Sequence, residues 1–163
     1  RGHSNRMWAE KLGLDGFQEG DGDLVSELTS VMQLTETDMT ILFRTLSTIQ
    51  DPDSNHLTRA FYKEEEIPQK EWNSWLDRWW SRVDGRPDRE SMLNANPKYV
   101  LRNWIAQLAI DAAEKEDYSV ATALYEMLKK PYDEQPGNEE KWFSRRPEWA
   151  RNRVGCSMLS CSS

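Results

Sequence analysis

Trp72-Asn73-Ser74-Trp75-Leu76-Asp77-Arg78-Trp79-Trp80-Ser81-Arg82-Val83 is the stretch whose reading decides the fold. Its apolar residues fall at i, i+3, i+4, i+7, i+8 and i+11, the spacing of one face of an α-helix, and Asp77, Arg78 and Ser81 lie off that face. Four of the eight tryptophans of the chain share this stripe. Such a face can be a stacking platform for bases or sugars, with Arg78 and Arg82 close by, or it can be core or domain-interface packing. Each indole can bury ~150 to 250 Å² and no positive field accompanies the stripe, so packing is the stronger reading.

Working towards the N-terminus, helical spacing continues. Leu24, Val25, Leu28, Val31 and Met32 follow Asp21-Gly22-Asp23, whose aspartates can accept the orphan amides of a first turn. Thr35 and Asp38 have the spacing of a capping pair before the stripe Met39, Leu42, Phe43 and Leu46. A short helix is expected after Asp51-Pro52-Asp53-Ser54, carrying Leu57, Ala60 and Phe61. The run Glu64-Glu65-Glu66 before Ile67-Pro68 reads as a solvated connection or a first helical turn.

Towards the C-terminus, Asp84-Gly85-Arg86-Pro87 breaks the tryptophan helix and a short helix is expected around Ser91, Met92 and Leu93. Asn96-Pro97 predicts a helix start, because Asn caps amides and Pro has none to lose at the first position. From there Val100, Leu101, Trp104, Ile105, Leu108, Ala109 and Ala112 form an amphipathic pattern, interrupted near its apolar face by Arg102 and Asn103. That polar pair can contact a ligand, although a hydrogen-bonded anchor for the helix is the better-supported role. A further helix runs from Asp117-Tyr118-Ser119 through Leu128 to Pro131 and pairs with its predecessor across a short turn. The pattern is that of an all-α domain of about seven or eight helices over residues 1–131. Residues 132–163 read as an extended tail, with Trp142, Phe143 and Trp149 docked as anchors and Arg145, Arg146, Arg151 and Arg153 making it locally basic. Those arginines can meet acidic loops or phosphates, but a solvated surface is the simpler account.

Composition bounds the function. Twenty-one basic against 28 acidic residues leave a net charge of −7, with pI near 5.0, which argues against general nucleic-acid or anionic-membrane binding. No apolar run approaches the ~18 residues of a membrane span, and the first residues lack a signal-peptide pattern. The chain is therefore expected to be soluble. Hydrophobic residues make up 37% of it, a modest share, so some apolar surface is expected to be shared with sequence not present here.

Both cysteines, Cys156 and Cys161, fall in the last nine residues, among small polar neighbours. Two thiols are too few for a disulfide scaffold, and with His3 and His56 remote they form no zinc pattern and no activated nucleophile. Their spacing is not that of a thioredoxin-like pair. A thiol on a terminus keeps access to oxidants and distant cysteines, which makes Cys161 the principal redox candidate and Cys156 the lesser one; the competing reading is an incidental surface thiol.

Asn96-Pro97-Lys98-Tyr99-Val100-Leu101-Arg102-Asn103-Trp104, Ala106-Gln107, Ala109 to Lys115, Arg146-Pro147-Glu148-Trp149-Ala150 and Cys161-Ser162-Ser163 together resemble the C-terminal part of the selenoprotein O family. Met7 to Leu14 and Phe43-Arg44-Thr45-Leu46-Ser47 are similar to that family in the same order; the likeness is loose between Asp51 and Arg89. In animal members the antepenultimate residue is selenocysteine, and many bacterial members have cysteine there. The resemblance implies a kinase-like fold that uses magnesium to transfer AMP from ATP to Ser, Thr or Tyr hydroxyls of proteins.

Its nucleotide and catalytic motifs lie in the N-terminal two thirds, and here there is no Gly-rich phosphate loop, no Val-Ala-Ile-Lys-like strand, no His-Arg-Asp-like loop and no Asp-Phe-Gly. The chain thus reads as a C-terminal fragment on the C-lobe side, with no catalytic, cofactor or metal residues of its own, silent in isolation. ATP and magnesium belong to the parent. Its expected partners are the N-terminal kinase-like part and the parent's protein substrates, with neither nucleic acid nor membrane. The implied location is the cytoplasm in a bacterium or the mitochondrion in a eukaryote. The resemblance also implies that Cys161 bonds reversibly to a cysteine of the kinase-like activation loop. The alternative, from another class, is an autonomous helical module whose tryptophan face and basic tail engage a second protein.

Overall fold

The computed structural model describes residues 2–156. Within them the elements are α1 (Gly2–Leu12), α2 (Asp21–Met32), α3 (Met39–Leu46), α4 (Gln69–Arg82), α5 (Arg89–Ala95), α6 (Asn103–Glu114), α7 (Ser119–Leu128) and α8 (Pro136–Trp142). Three 3-10 turns complete them, at Ser54–Ala60, Glu64–Glu66 and Glu148–Ala150. The only extended pairing among the described residues is one isolated bridge between Thr37 and Phe61. The all-α class read from the sequence holds.

The chain divides into two units, one holding the residues up to Asp38 with Leu42–Asn96, the other Met39–Ile41 with the chain from Pro97 onward. In the first, α4 is the central element. Trp72, Trp75, Leu76 and Trp79 are buried on it, as its periodicity requires. Trp75 and Trp79 stack at 5.9 Å between ring centroids, Trp72 meets Trp75 edge-on at 6.1 Å, and Phe61 closes the row at 5.9 Å from Trp72. The indole nitrogens carry the fold beyond packing. Trp75 Nε1 donates to the Leu24 carbonyl of α2 and Trp79 Nε1 to the Leu12 carbonyl at the end of α1, each at 2.8 Å. The Leu12 carbonyl, orphaned at the end of α1, is thereby satisfied by a side chain that also supplies the core.

Arg82, at the end of α4, binds Asp21 through two nitrogens at 2.8 and 3.0 Å and reaches Asp15 and the Gly16 carbonyl. Burial pushes the Asp21 carboxyl up, but hydrogen bonds from Arg82 and the Gln18 amide, with the Arg82 charge, hold it net below the usual aspartate range. α1 ends at Gly13, in the left-handed region at φ 67°; a Cβ there would lie 2.9 Å from the Asp88 nitrogen, the Pro87 Cβ and the Met92 Sδ. Only glycine lets α1 approach α5 this closely. The Asp53 carboxylate caps the turn at Ser54–Ala60, and Asp88 caps α5.

In the second unit α6 and α7 pack together across a turn whose Glu116 has φ 61°. Here the expected helix start is corrected. Residues 97–102 are not helical, and α6 begins at Asn103 with Arg102 at its cap. Lys98 and Tyr99 are buried with their backbone amides on the Pro131 carbonyl, which holds the chain extended where Asn-Pro alone favours a helix. Asn96 ends α5 instead, its side chain donating to the Lys11 carbonyl and to Ser47 Oγ while accepting from Lys11 Nζ. Likewise Thr35 does not cap α3 but donates to Glu66 at 3.2 Å.

Within the stretch expected to be extended, Pro136–Trp142 forms α8, with Pro136 near its start and Glu139 in its first turn. Gln135 enters it at φ 40° and donates its amide to the Met127 and Lys130 carbonyls, closing the end of α7. No helix among the described residues is long and apolar enough to cross a membrane.

Candidate functional site

Of the two cysteines, Cys161 lies outside the described residues. Cys156 is buried, and its thiol points at the Asn103 carbonyl, 4.0 Å away, at the first turn of α6. The surroundings of Cys156 bring together several of the sequence-derived candidates. Arg102 is buried and donates to the Ser144 carbonyl, so it anchors the segment after α8 onto the start of α6. This is the helix-anchoring role, and Asn103 contributes its backbone carbonyl to Cys156. Trp104 stacks on Trp142 at 6.2 Å, 28° from parallel, and both are buried.

The arginines of the tail separate into different environments. Arg146 is buried, Arg145 is exposed, and Arg153 makes a two-pronged pair with Asp111 of α6 at 2.7 and 2.8 Å. Asp111 also accepts from Gln107 at 2.9 Å. The Arg153 hydrogen bonds, and then that of Gln107, hold the Asp111 carboxyl below its ordinary range. Trp149, expected as a docked anchor, is 45% exposed; its ring instead faces the Arg153 guanidinium at 5.8 Å. Trp142 and Phe143 are docked as expected. A groove of about 360 Å³ lies beside this region, with Leu108, Ala112, Val120 and Trp142 as apolar walls and Asp111, Lys115, Asp117 and Lys141 around them.

Two arrangements here leave no mark in periodicity or spacing. Lys98 is buried, yet its ammonium pairs with Glu139 at 2.6 Å and Glu134 at 3.2 Å and sits 5.4 Å from the Phe143 ring. The Tyr99 hydroxyl lies 2.8 Å from the carbonyls of both Glu134 and Gln135. Lys98-Tyr99 therefore clamps the entry to α8 through charge on one side and carbonyl recognition on the other. Family likeness flagged these residues; periodicity did not.

The other candidates resolve as structure. The tryptophan face is enclosed, with Trp72 and Trp79 fully buried and Trp75 at 2% exposure, so no stacking platform exists there. His56 is exposed beside Asp51 at 2.9 Å. Among the described residues no three His, Cys, Asp or Glu side chains converge.

The family model described as "Protein adenylyltransferase SelO" matches residues 2–129. This chain belongs to the SelO family. Its curated relatives carry the description "Protein nucleotidyltransferase YdiU". The one from Flavobacterium johnsoniae is 52% identical over 170 residues, covering 96% of this chain and 32% of its own length. Those from Aromatoleum aromaticum and Rhodopirellula baltica are 44% and 46% identical, covering 98% and 96% of this chain. The chain thus spans about a third of the length of these SelO-family relatives. The matched range takes in α1 to α7, including Lys98, Arg102 and Asp111.

Proposed function

We propose that this chain is the C-terminal, helical and redox-responsive part of a SelO-type protein adenylyltransferase, whose whole transfers AMP from ATP to Ser, Thr or Tyr hydroxyls of proteins. The observation that carries the reading is the likeness over nearly the whole chain to nucleotidyltransferases three times its length, combined with the lack of a phosphate-cradling loop in this sequence. The catalytic centre, with its ATP and magnesium, is accordingly assigned to the remainder of the parent. Burial of the tryptophan face supports this reading over the interaction-module alternative, which drew on that face together with the basic tail.

In the parent this chain completes the C-lobe side and carries Cys161, which bonds reversibly to a cysteine outside it. Support for that step is the likeness of Cys161-Ser162-Ser163 to the family terminus. Two measurements test the reading. With labelled ATP, magnesium and protein acceptors, the full-length parent should incorporate AMP and the 163-residue chain should not; robust labelling by the chain alone overturns the assignment. Peptide mapping of the oxidised parent should find Cys161 joined to a cysteine outside this chain. Finding it unmodified, or joined only to Cys156, removes the redox role.

A further inference from the structure

We propose that residues 151–156 form a latched strap over α6 that gates the thiol of Cys156, with the Arg153–Asp111 pair as the latch. Three observations place the boundary of the strap. Upstream of it the chain is firmly held: Trp142, Phe143, Arg146 and Ala150 are all buried. Within it, Arg153, Val154 and Gly155 are exposed, Val154 at 91%, and the strap's backbone bonds are short-range ones, Arg153 to Ala150 at 3.4 Å and Cys156 to Arg153 at 3.0 Å. Among the described residues its hydrogen bonds to the rest of the chain are the Arg153 pair to Asp111 and the weak thiol contact to Asn103.

A segment whose middle residues are exposed and whose tether is an exposed polar pair belongs to the low-stability end of a protein and opens without the remainder. Cys156 sits at the far end of that tether. When Arg153 leaves Asp111, only the weak 4.0 Å thiol contact to Asn103 remains among these contacts, and a buried, inert sulfur becomes an accessible one. The pair is well formed for a latch. It is two-pronged, its carboxylate is oriented from behind by Gln107, and its guanidinium is covered on one side by Trp149.

The proposal is independent of the Cys161 reading, because its test is run with that residue replaced. Cys161→Ser leaves Cys156 as the single thiol of the 163-residue chain, and reaction with Ellman's reagent then follows one sulfur. The folded chain should react far more slowly than the urea-denatured one, and at low urea its rate should depend much less steeply on urea than global unfolding does. Asp111→Asn and Arg153→Gln should each accelerate the reaction about fivefold, the opening expected from losing an exposed ion pair of good geometry. The swapped pair Asp111→Arg with Arg153→Asp should restore slow labelling. Glu126→Gln, which breaks the exposed pair with Lys129 on α7, should leave the rate unchanged. Unchanged rates in Asp111→Asn and Arg153→Gln overturn the latch. So does a labelling rate that follows the full urea dependence of unfolding in every variant, because Cys156 would then open only with the whole chain.

Discussion

The two units are held by opposite means. The first is organised around rings: a row of indoles on α4, with nitrogens that reach backbone carbonyls of α1 and α2. The second is organised around long polar side chains laid across α6 and the entry to α8, with Lys98, Arg102, Gln135 and Arg153 each binding a carbonyl or carboxylate remote in sequence or in the next turn. Ring burial is worth several kcal/mol per residue and tolerates little change, whereas charge at a partly solvated site contributes little net energy and fixes geometry. The first unit is accordingly expected to set stability and the second to set where the C-terminal segment lies.

The largest effect that would break this contrast is at Trp79. Trp79→Ala removes a fully buried ring and a hydrogen bond to Leu12, and a loss of about 3 to 5 kcal/mol is expected in urea unfolding. A loss of under roughly half a kcal/mol would show that the ring row is not the core it looks to be. Next in size is Asp21→Asn, which leaves Arg82 with only the exposed Asp15 as a charged partner; about 2 kcal/mol is expected at neutral pH.

The same pair sets an acid dependence. Because the folded Asp21 carboxyl lies below the ordinary value of 3.8, its contribution is present in full well above that pH and is lost as pH falls through the lower folded value. The wild-type chain should therefore lose stability on that acid limb more steeply than Asp21→Asn, and equal slopes would rule the linkage out. Gly13→Ala follows, at about 1 to 3 kcal/mol, from the left-handed backbone and the close approach to Asp88. The smallest effect sharpens the comparison from the other side. Lys98→Met removes a buried charge whose partners, Glu134 and Glu139, are 63% and 44% exposed and can return to water. A cost of about 1 kcal/mol or less is expected in the same unfolding experiment. A cost comparable to that of Trp79→Ala would mean that the second unit, too, is stabilised by its buried contacts.

What the sequence disclosed follows the same division. The row from Trp72 to Val83 was legible because helical periodicity is a local property, and the short helical turn after Asp51-Pro52-Asp53-Ser54 because its breakers and apolar residues are local too. Asn96-Pro97 misled because both residues favour a helix start, while the Pro131 carbonyl that captures Lys98 and Tyr99 is remote in sequence and has no side-chain signature. α8 carried a faint signal in Pro136 followed by Glu139, masked by the turn-forming residues around it. At the candidate site, Arg102 as an anchor was accessible from its position beside an apolar face. The pairing of Asp111 with Arg153 was not, since either charge could have been solvated and only the folded path of the tail brings them together.

The tryptophan row also has an optical meaning. Trp72, Trp75, Trp79 and Trp80 lie in a relay with successive centroids 6.1, 5.9 and 5.7 Å apart, within easy range of excitation transfer, and Trp75 lies nearly parallel to Trp79, at 9°. Light absorbed anywhere along that relay is pooled, and the closely stacked pair shapes the near-ultraviolet circular dichroism of the whole chain. Trp149, exposed at the opposite extreme, emits as a water-facing indole. Emission colour therefore distinguishes the enclosed relay from the C-terminal segment, and the chain carries its own probe for telling the loosening of one from the melting of the other.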